Sequence, residues 1–277
     1  MSFGGGTVVE GIKFIDGWME EGGAMDMSGT VRNCVFENNH ASHSGGAITM
    51  AHGAVEDCVF SQNTAGSHGG AMVISNMTPA TVSRSLFVEN YAYVNASAIC
   101  IWYLTTVTHI DHCTFVANWT SWPSQTTIGL DDWYPTGIDH FVVTNCTFVY
   151  NDGGIDAMSE EDTDFVENTI IAYQTEGYPI NGVVQLTCCD LYGNAGGDWV
   201  GGIAGQYGLR DNISQDPLFC SAESWDFALA DCSPCAPDNS PEGCGLIGAL
   251  PVGCSFAGIR PDKRPVTTWS SIKSMYR

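Results

Sequence analysis

The chain has 277 residues, 32 of them glycine and 12 cysteine, with 9 Lys+Arg against 31 Asp+Glu and a formal net charge of −22. That length supplies a large core, and 44% hydrophobic residues exclude a disordered chain. The acidity excludes binding that rests on Lys and Arg neutralising phosphates, so nucleic acid and anionic lipid are not expected partners.

The opening Met1-Ser-Phe-Gly-Gly-Gly has neither a basic start nor an apolar h-region, and no run of 18 apolar residues follows, so no helical membrane span is expected. TVVEGIKF then reads directly as a strand without a capping segment. An uncapped coil edge is adhesive. The expectation is a chain that continues a longer protein, or one whose N-terminal coil associates end to end with a partner.

From Phe14 onward the chain repeats. An anchor residue recurs as Phe14, Phe36, Phe60, Phe87, Phe115, Phe148, Ile171 and Leu191. Five positions earlier stand Val9, Val31, Val55, Val82, Ile110, Val143, Val166 and Leu186. Two positions earlier stand Ile12, Cys34, Cys58, Ser85, Cys113, Cys146, Thr169 and Cys189, and three positions later Gly17, Asn39, Asn63, Asn90, Asn118, Asn151, Gln174 and Asn194. A second short apolar segment reads GGAM at Gly22, GGAI at Gly45, GGAM at Gly69 and ASAI at Ala96. Apolar and polar residues alternate inside each copy, which predicts strands, and Gly and Asn bound them as turns. Anchors 20–33 residues apart with strand patterning predict a solenoid. The eight copies predict an all-β, single-stranded parallel β-helix of about eight coils over residues 1–200, roughly 38 Å long. The anchor and aliphatic columns point inward, the Cys/Ser/Thr column fills a small corner with unpaired thiols, and the Asn column suits left-handed turns or an amide ladder.

These GGA[IM] and FxxN motifs resemble the repeats of the polymorphic outer-membrane protein family. More broadly they resemble the right-handed parallel β-helices of the pectate-lyase-like superfamily. The resemblance implies a right-handed β-helix at or outside a bacterial cell surface. It implies no activity, since lyases, hydrolases, adhesins and spacers share that fold.

After Asn194 the pattern fades. Residues 201–254 read as a Cys-rich C-terminal cap with Cys220, Cys232, Cys235, Cys244 and Cys254, and Cys188 nearby. Its D-P-L-F, D-F-x-L, S-P and I-G-A landmarks resemble the closing segment of secreted bacterial β-helix proteins. The even cluster predicts disulfides and an oxidising compartment. Cys232-x2-Cys235 has zinc-ligand spacing but no second ligand pair follows. Residues 255–277 form a basic tail that can make a short helix.

Three groups carry candidate chemistry. Trp18, Tyr91, Tyr93, Trp119 and Trp122 project from turns on one side of the rod, where rings can stack on sugars or pack on one another. Asp131, Asp132 and Asp156 are candidates for catalysis if the long fifth coil folds over, or for calcium. Glu21, His43 and His68 form a candidate divalent-metal set. The reading is a secreted or cell-surface β-helix that binds glycans or other surfaces, adhesin-like and without an evident catalytic centre. Its alternatives are a polysaccharide lyase or glycoside hydrolase, and a structural spacer or filament subunit.

Overall fold

A computed structural model describes residues 2–75, 79–102, 107–121, 126–131, 141–157 and 164–255. The chain winds as a parallel β-solenoid of about nine turns. Three parallel sheets line it. The second holds eight strands, from Lys13–Ile15 to Asp190–Tyr192, and the third holds five, from Trp18–Glu21 to Trp119–Thr120. The first sheet forks. Met25–Arg32 and Ile48–Glu56 each cross its whole width, whereas from the third coil on each coil contributes two strands, such as Met72–Ser75 and Ala80–Ser83.

The repeat columns are the registers of the sheets. Phe36 pairs with Phe60, Phe60 with Phe87, and Phe148 with Ile171. The six Phe rings stack parallel along the axis at 4.5–5.0 Å. Val31, Val55, Val82 and Ile110 stack in the same way. A coil rise of about 4.8 Å matches ring-stacking distance, so identical residues in one column gain both ladder hydrogen bonds and side-chain contact.

The Asn column is an internal amide ladder. Asn39, Asn63, Asn90 and Asn118 each donate Nδ2 to the Oδ1 of the next member at 2.9 Å. These Asn residues do not take the left-handed conformation expected of them. The residue before the column position does: Asn38, Gln62, Glu89, Ala117 and Tyr150, with Tyr173 before Gln174, have φ of 50–58°. That leaves the Asn side chain free to turn inward. In the GGA segment the first glycine supplies the positive φ, as Gly22, Gly45 and Gly69 show. The second glycine supplies closeness, since a Cβ on Gly70 would sit 2.1 Å from the Ser97 carbonyl oxygen of the next coil.

The C-terminal region has two parts with different tasks. The 3₁₀ turn Gly201–Gln206 closes the end of the rod: Ile203 is buried in the main core, and Gln206 bonds the Leu186 amide at 2.9 Å and the Val184 carbonyl at 2.6 Å. Residues 214–254 instead fold back along the flank. The outer face of the second sheet carries Val59, Leu86, Val88, Val116 and Val149, all buried, and Phe227, Phe219, Trp225 and Leu250 cover it. This strap is pinned by Gly248 N to Asn168 O at 2.7 Å and Ala249 N to Thr147 Oγ1 at 2.9 Å. Disulfides join Cys188 to Cys244 and Cys220 to Cys254. The expected cap disulfides are therefore present for Cys220 and Cys244, but Cys232 and Cys235 are free thiols. The inward cysteines Cys34, Cys58, Cys113 and Cys146 are unpaired and buried, as the column predicts. The basic tail from residue 256 lies outside the described residues.

Candidate functional site: the outer face of the third sheet

The third sheet begins immediately after the Asn ladder. The residue following each Asn faces outward and the next faces inward. The inward column is Ala41, Ala65 and Ala92, all fully buried, so the sheet lies flat against the core. The outward column is Trp18, His40, Thr64, Tyr91 and Trp119, each paired in register with the next. Of the turn aromatics expected on one side of the rod, Trp18, Tyr91 and Trp119 belong to one hydrogen-bonded row, and Tyr93 lies two positions past Tyr91, outside it.

The row contains two ring platforms separated by Thr64. Trp18 and His40 lie nearly parallel, with centroids 6.1 Å apart. Tyr91 and Trp119 lie 4.1 Å apart at 40°, and Tyr91 Oη shares a hydrogen bond with Ser121 Oγ at 2.8 Å. Trp18 is 69% exposed, and Trp119 and Tyr93 are each 50% exposed. Stacking covers part of each ring along the row: Trp18 and Trp119 are exposed, whereas His40 and Tyr91 are half-buried. Trp122 lies outside the described residues.

Asp152 stands one level beyond Trp119 and ends the sheet. Its Oδ2 accepts from Thr120 N at 2.5 Å and Thr120 Oγ1 at 2.7 Å, in place of a sixth strand. Its Oδ1 is buried without a partner. Burial pushes this carboxyl up to about 6, against the two Thr120 bonds that pull it down.

The other candidates are more dispersed. His43 Nδ1 contacts Glu21 Oε1, an exposed pair across neighbouring coils. His68 turns away from them, bonding Ser67 Oγ at 2.7 Å and meeting Trp102 edge-on at 6.2 Å. Asp156 is buried on the first sheet, in register with Gly129, and accepts from Asn181 Nδ2 at 3.2 Å. Asp131 lies in the neighbouring strand Ile128–Asp131, two positions past Gly129, and Asp132 lies outside the described residues. Among the described residues, one set of three metal-ligating side chains converges: Cys188, Asp211 and Cys244. Two of those three are the disulfide.

Sequence reasoning passed over Asp190 and its contact with Cys235. Cys235 Sγ donates to Asp190 Oδ2 at 3.1 Å beneath the strap. A signal was present. The position before the anchor reads Lys13, Val35, Val59, Leu86, Thr114, Thr147, Ile170 and Asp190. A carboxylate in a column whose other late members are Thr147 and Ile170 marks a buried acid with a partner.

Among the described residues, no helix is long and apolar enough to cross a membrane. Comparison of the whole chain with curated proteins and with solved structures returns no match. Residues 33–49 match the family model of the Chlamydia polymorphic membrane protein repeat. That match spans one coil, from the corner before Cys34 through Phe36 and Asn39 to the GGAI glycines. The chain is a parallel β-helix that carries a repeat of the polymorphic membrane protein type.

Proposed function

We propose that this protein is a bacterial cell-surface or secreted β-helix that binds neutral glycans along its third sheet, as an adhesin does. The observation that carries this reading is the register-locked row Trp18, His40, Tyr91 and Trp119 on the outer side of the third sheet, with Trp18 and Trp119 exposed. Four coil steps separate Trp18 from Trp119, about 19 Å at the parallel-coil spacing, which suits an extended chain of sugar rings. Each stacked ring contributes on the order of 1 kcal/mol beyond solvent exclusion, taking aromatic pairs as the guide. The hydroxyls of Thr64 and Ser121 lie beside the rings for hydrogen bonds. A net charge of −22 repels a bare polyanion, so neutral glycans or calcium-bridged ones are the fitting class. Two disulfides suit an oxidising, extracellular compartment.

The test is a glycan-array screen with the parent chain and the double variant Tyr91→Ala/Trp119→Ala. Loss of two stacked contacts lowers retention by roughly tenfold or more, and because both side chains lie on the outer side of the sheet the circular dichroism spectrum stays unchanged. A folded double variant that binds every ligand like the parent ends this reading.

The opposite end of the same sheets supports a second property, end-to-end association. Ser2–Glu10, Lys13–Ile15 and Trp18–Glu21 each end their sheet among the described residues, and Val8, Ile12 and Ile15 are exposed there. Open strand edges with apolar neighbours pair readily. Concentration-dependent growth in sedimentation velocity is the expected result, and charged substitutions at Ile12 and Ile15 abolish it.

A further inference from the structure

The strap holds two thiols that neither disulfide uses. Cys232 is exposed and Cys235 fully buried. Cys232-Ser-Pro-Cys235 crosses two consecutive tight turns, closed by Ser233 N to Ala230 O at 3.0 Å and Ala236 N to Ser233 O at 3.1 Å. Behind Cys235 lies Asp190, fully buried on the outer face of the second sheet. Its Oδ2 accepts from Cys235 Sγ at 3.1 Å and its Oδ1 from Gln215 N at 3.0 Å. The three remaining strap cysteines are in disulfides, Cys220 with Cys254 and Cys244 with Cys188. An exposed thiol, a buried thiol three residues on and a carboxylate in contact with the buried sulfur are the parts that thiol–disulfide exchange requires.

We propose that Cys232 and Cys235 form a thiol–disulfide exchange site that takes low-molecular-weight disulfides, with Asp190 as the base for Cys235. In the first step the Cys232 thiolate, its proton given to water, attacks one sulfur of R–S–S–R. The Cys232–S–S–R bond forms, and the departing thiolate is protonated by water to RSH. In the second step Cys235 passes its Sγ proton to Asp190 Oδ2 as its sulfur attacks Cys232 Sγ. The Cys232–Cys235 bond forms, the bond to R breaks, and the second thiolate leaves as RSH when Asp190 returns the proton through solvent. The protein dithiol loses two electrons, and one disulfide gains them to become two thiols.

The electrostatics fit these roles. Burial pushes Asp190 up to about 7, and the charges of Asp198 and Asp216 add to that shift. Burial first, and then the Asp190 charge, push the Cys235 thiol up. Cys235 is therefore a thiol at rest and needs a base when it attacks. A carboxylate titrating near neutrality, in contact with its sulfur, is matched to that transfer.

The full chain, with Cys232 and Cys235 reduced and both disulfides intact, is exposed to glutathione disulfide, quenched in acid over time and mapped by mass spectrometry. The expected course is transient glutathione on Cys232 followed by a Cys232–Cys235 disulfide. In Cys235→Ser the glutathione stays on Cys232. In Asp190→Asn the mixed disulfide lives on the order of 100-fold longer, and the rise of its decay rate through pH 7 disappears. Wild-type protein that keeps glutathione on Cys232, or that leaves Cys232 unmodified, overturns the proposal. So does an Asp190→Asn variant that resolves as fast as wild type. If Asp190→Asn loses either native disulfide, the comparison of wild type with Cys235→Ser decides alone: equal lifetimes of the Cys232 adduct overturn the proposal and a trapped adduct supports it.

Discussion

Asn90 Nδ2 donates to the Phe60 carbonyl oxygen one coil behind it at 3.0 Å and to Asn118 Oδ1 one coil ahead at 2.9 Å. One side chain thus ties three successive levels of the rod. Its Oδ1 also accepts from Asn63 N at 3.1 Å and Asn63 Nδ2 at 2.9 Å. All these groups are buried, so water cannot replace a lost partner. Asn90→Ala strands the Asn63 amide and removes a bond from the Phe60 carbonyl. At about 1–3 kcal/mol for each orphaned buried group, the variant loses about 3 kcal/mol or more. A urea titration followed by circular dichroism measures it, and a loss below about 1 kcal/mol contradicts the ladder's role.

The second glycine of each GGA segment sets how closely coils approach. In Gly70→Ala the new Cβ meets the Ser97 carbonyl oxygen at 2.1 Å and the Tyr91 carbonyl carbon at 2.6 Å. Both are backbone atoms held by ladders, so neither can swing aside. The expected outcome is insoluble or unfolded protein. Gly205→Ala is the control, because nothing lies within 4 Å of its added Cβ. Soluble, wild-type-like Gly70→Ala would mean that the coils separate more easily than their hydrogen bonds imply.

Asp152 predicts a pH dependence of stability. Its carboxyl is raised to about 6 in the folded chain by burial, whereas an unfolded Asp titrates near ~3.9. The folded state therefore binds more protons between these values. Its contribution to stability is fully present below about pH 4 and is lost as pH rises through about 6. Asp152→Asn keeps an oxygen for the Thr120 donors and places an amide where Oδ1 now lacks a partner. The variant is more stable than the parent above pH 6, and the advantage shrinks towards pH 4. Melting temperatures measured from pH 4 to 8 check both sign and window. A constant difference across that range rejects Asp152 as the source.

The inward columns were legible in the sequence because each obeys one rule at every level. A parallel coil places equivalent residues in contact, so a column that is Phe or Asn in six copies announces its own neighbours. The aromatic row was legible for the same reason, since Trp18, His40, Tyr91 and Trp119 keep a fixed offset from the Asn column. The strap was not. Val35, Val59, Leu86 and Ile170 make the outer face of the second sheet apolar, which signals a covering layer, but nothing in a repeat says which later segment covers it. The contact between Asp190 and Cys235 spans 45 residues and depends on that covering. The metal set failed to close for a related reason: His43 stands four positions past Asn39 and His68 five past Asn63, so they occupy different columns and face different neighbours.

The cysteine column combines small size with hydrogen-bond acceptance. Sequence alone assigned it size, because Ser85 and Thr169 replace cysteine there. In the structure Ser85, Cys146 and Thr169 also accept from the backbone N–H of the member one coil earlier: Cys58 N to Ser85 Oγ at 3.1 Å, Cys113 N to Cys146 Sγ at 3.4 Å, and Cys146 N to Thr169 Oγ1 at 3.3 Å. The side chain donates in turn to the carbonyl two residues before it, Ser83 O at 2.9 Å for Ser85 and Thr144 O at 3.2 Å for Cys146. Cys146→Ser keeps both bonds with a stronger acceptor and loses only the burial of sulfur, so its stability stays within about 1 kcal/mol of the parent. Cys146→Ala leaves the buried Cys113 N–H without a partner and costs about 1–3 kcal/mol. Cys146→Val adds a methyl to a filled corner, again at about 1–3 kcal/mol, and lacks the acceptor as well. The expected order of denaturation midpoints is Ser above Ala, with Val at or below Ala. Alanine equal to serine would show that volume alone selects this column.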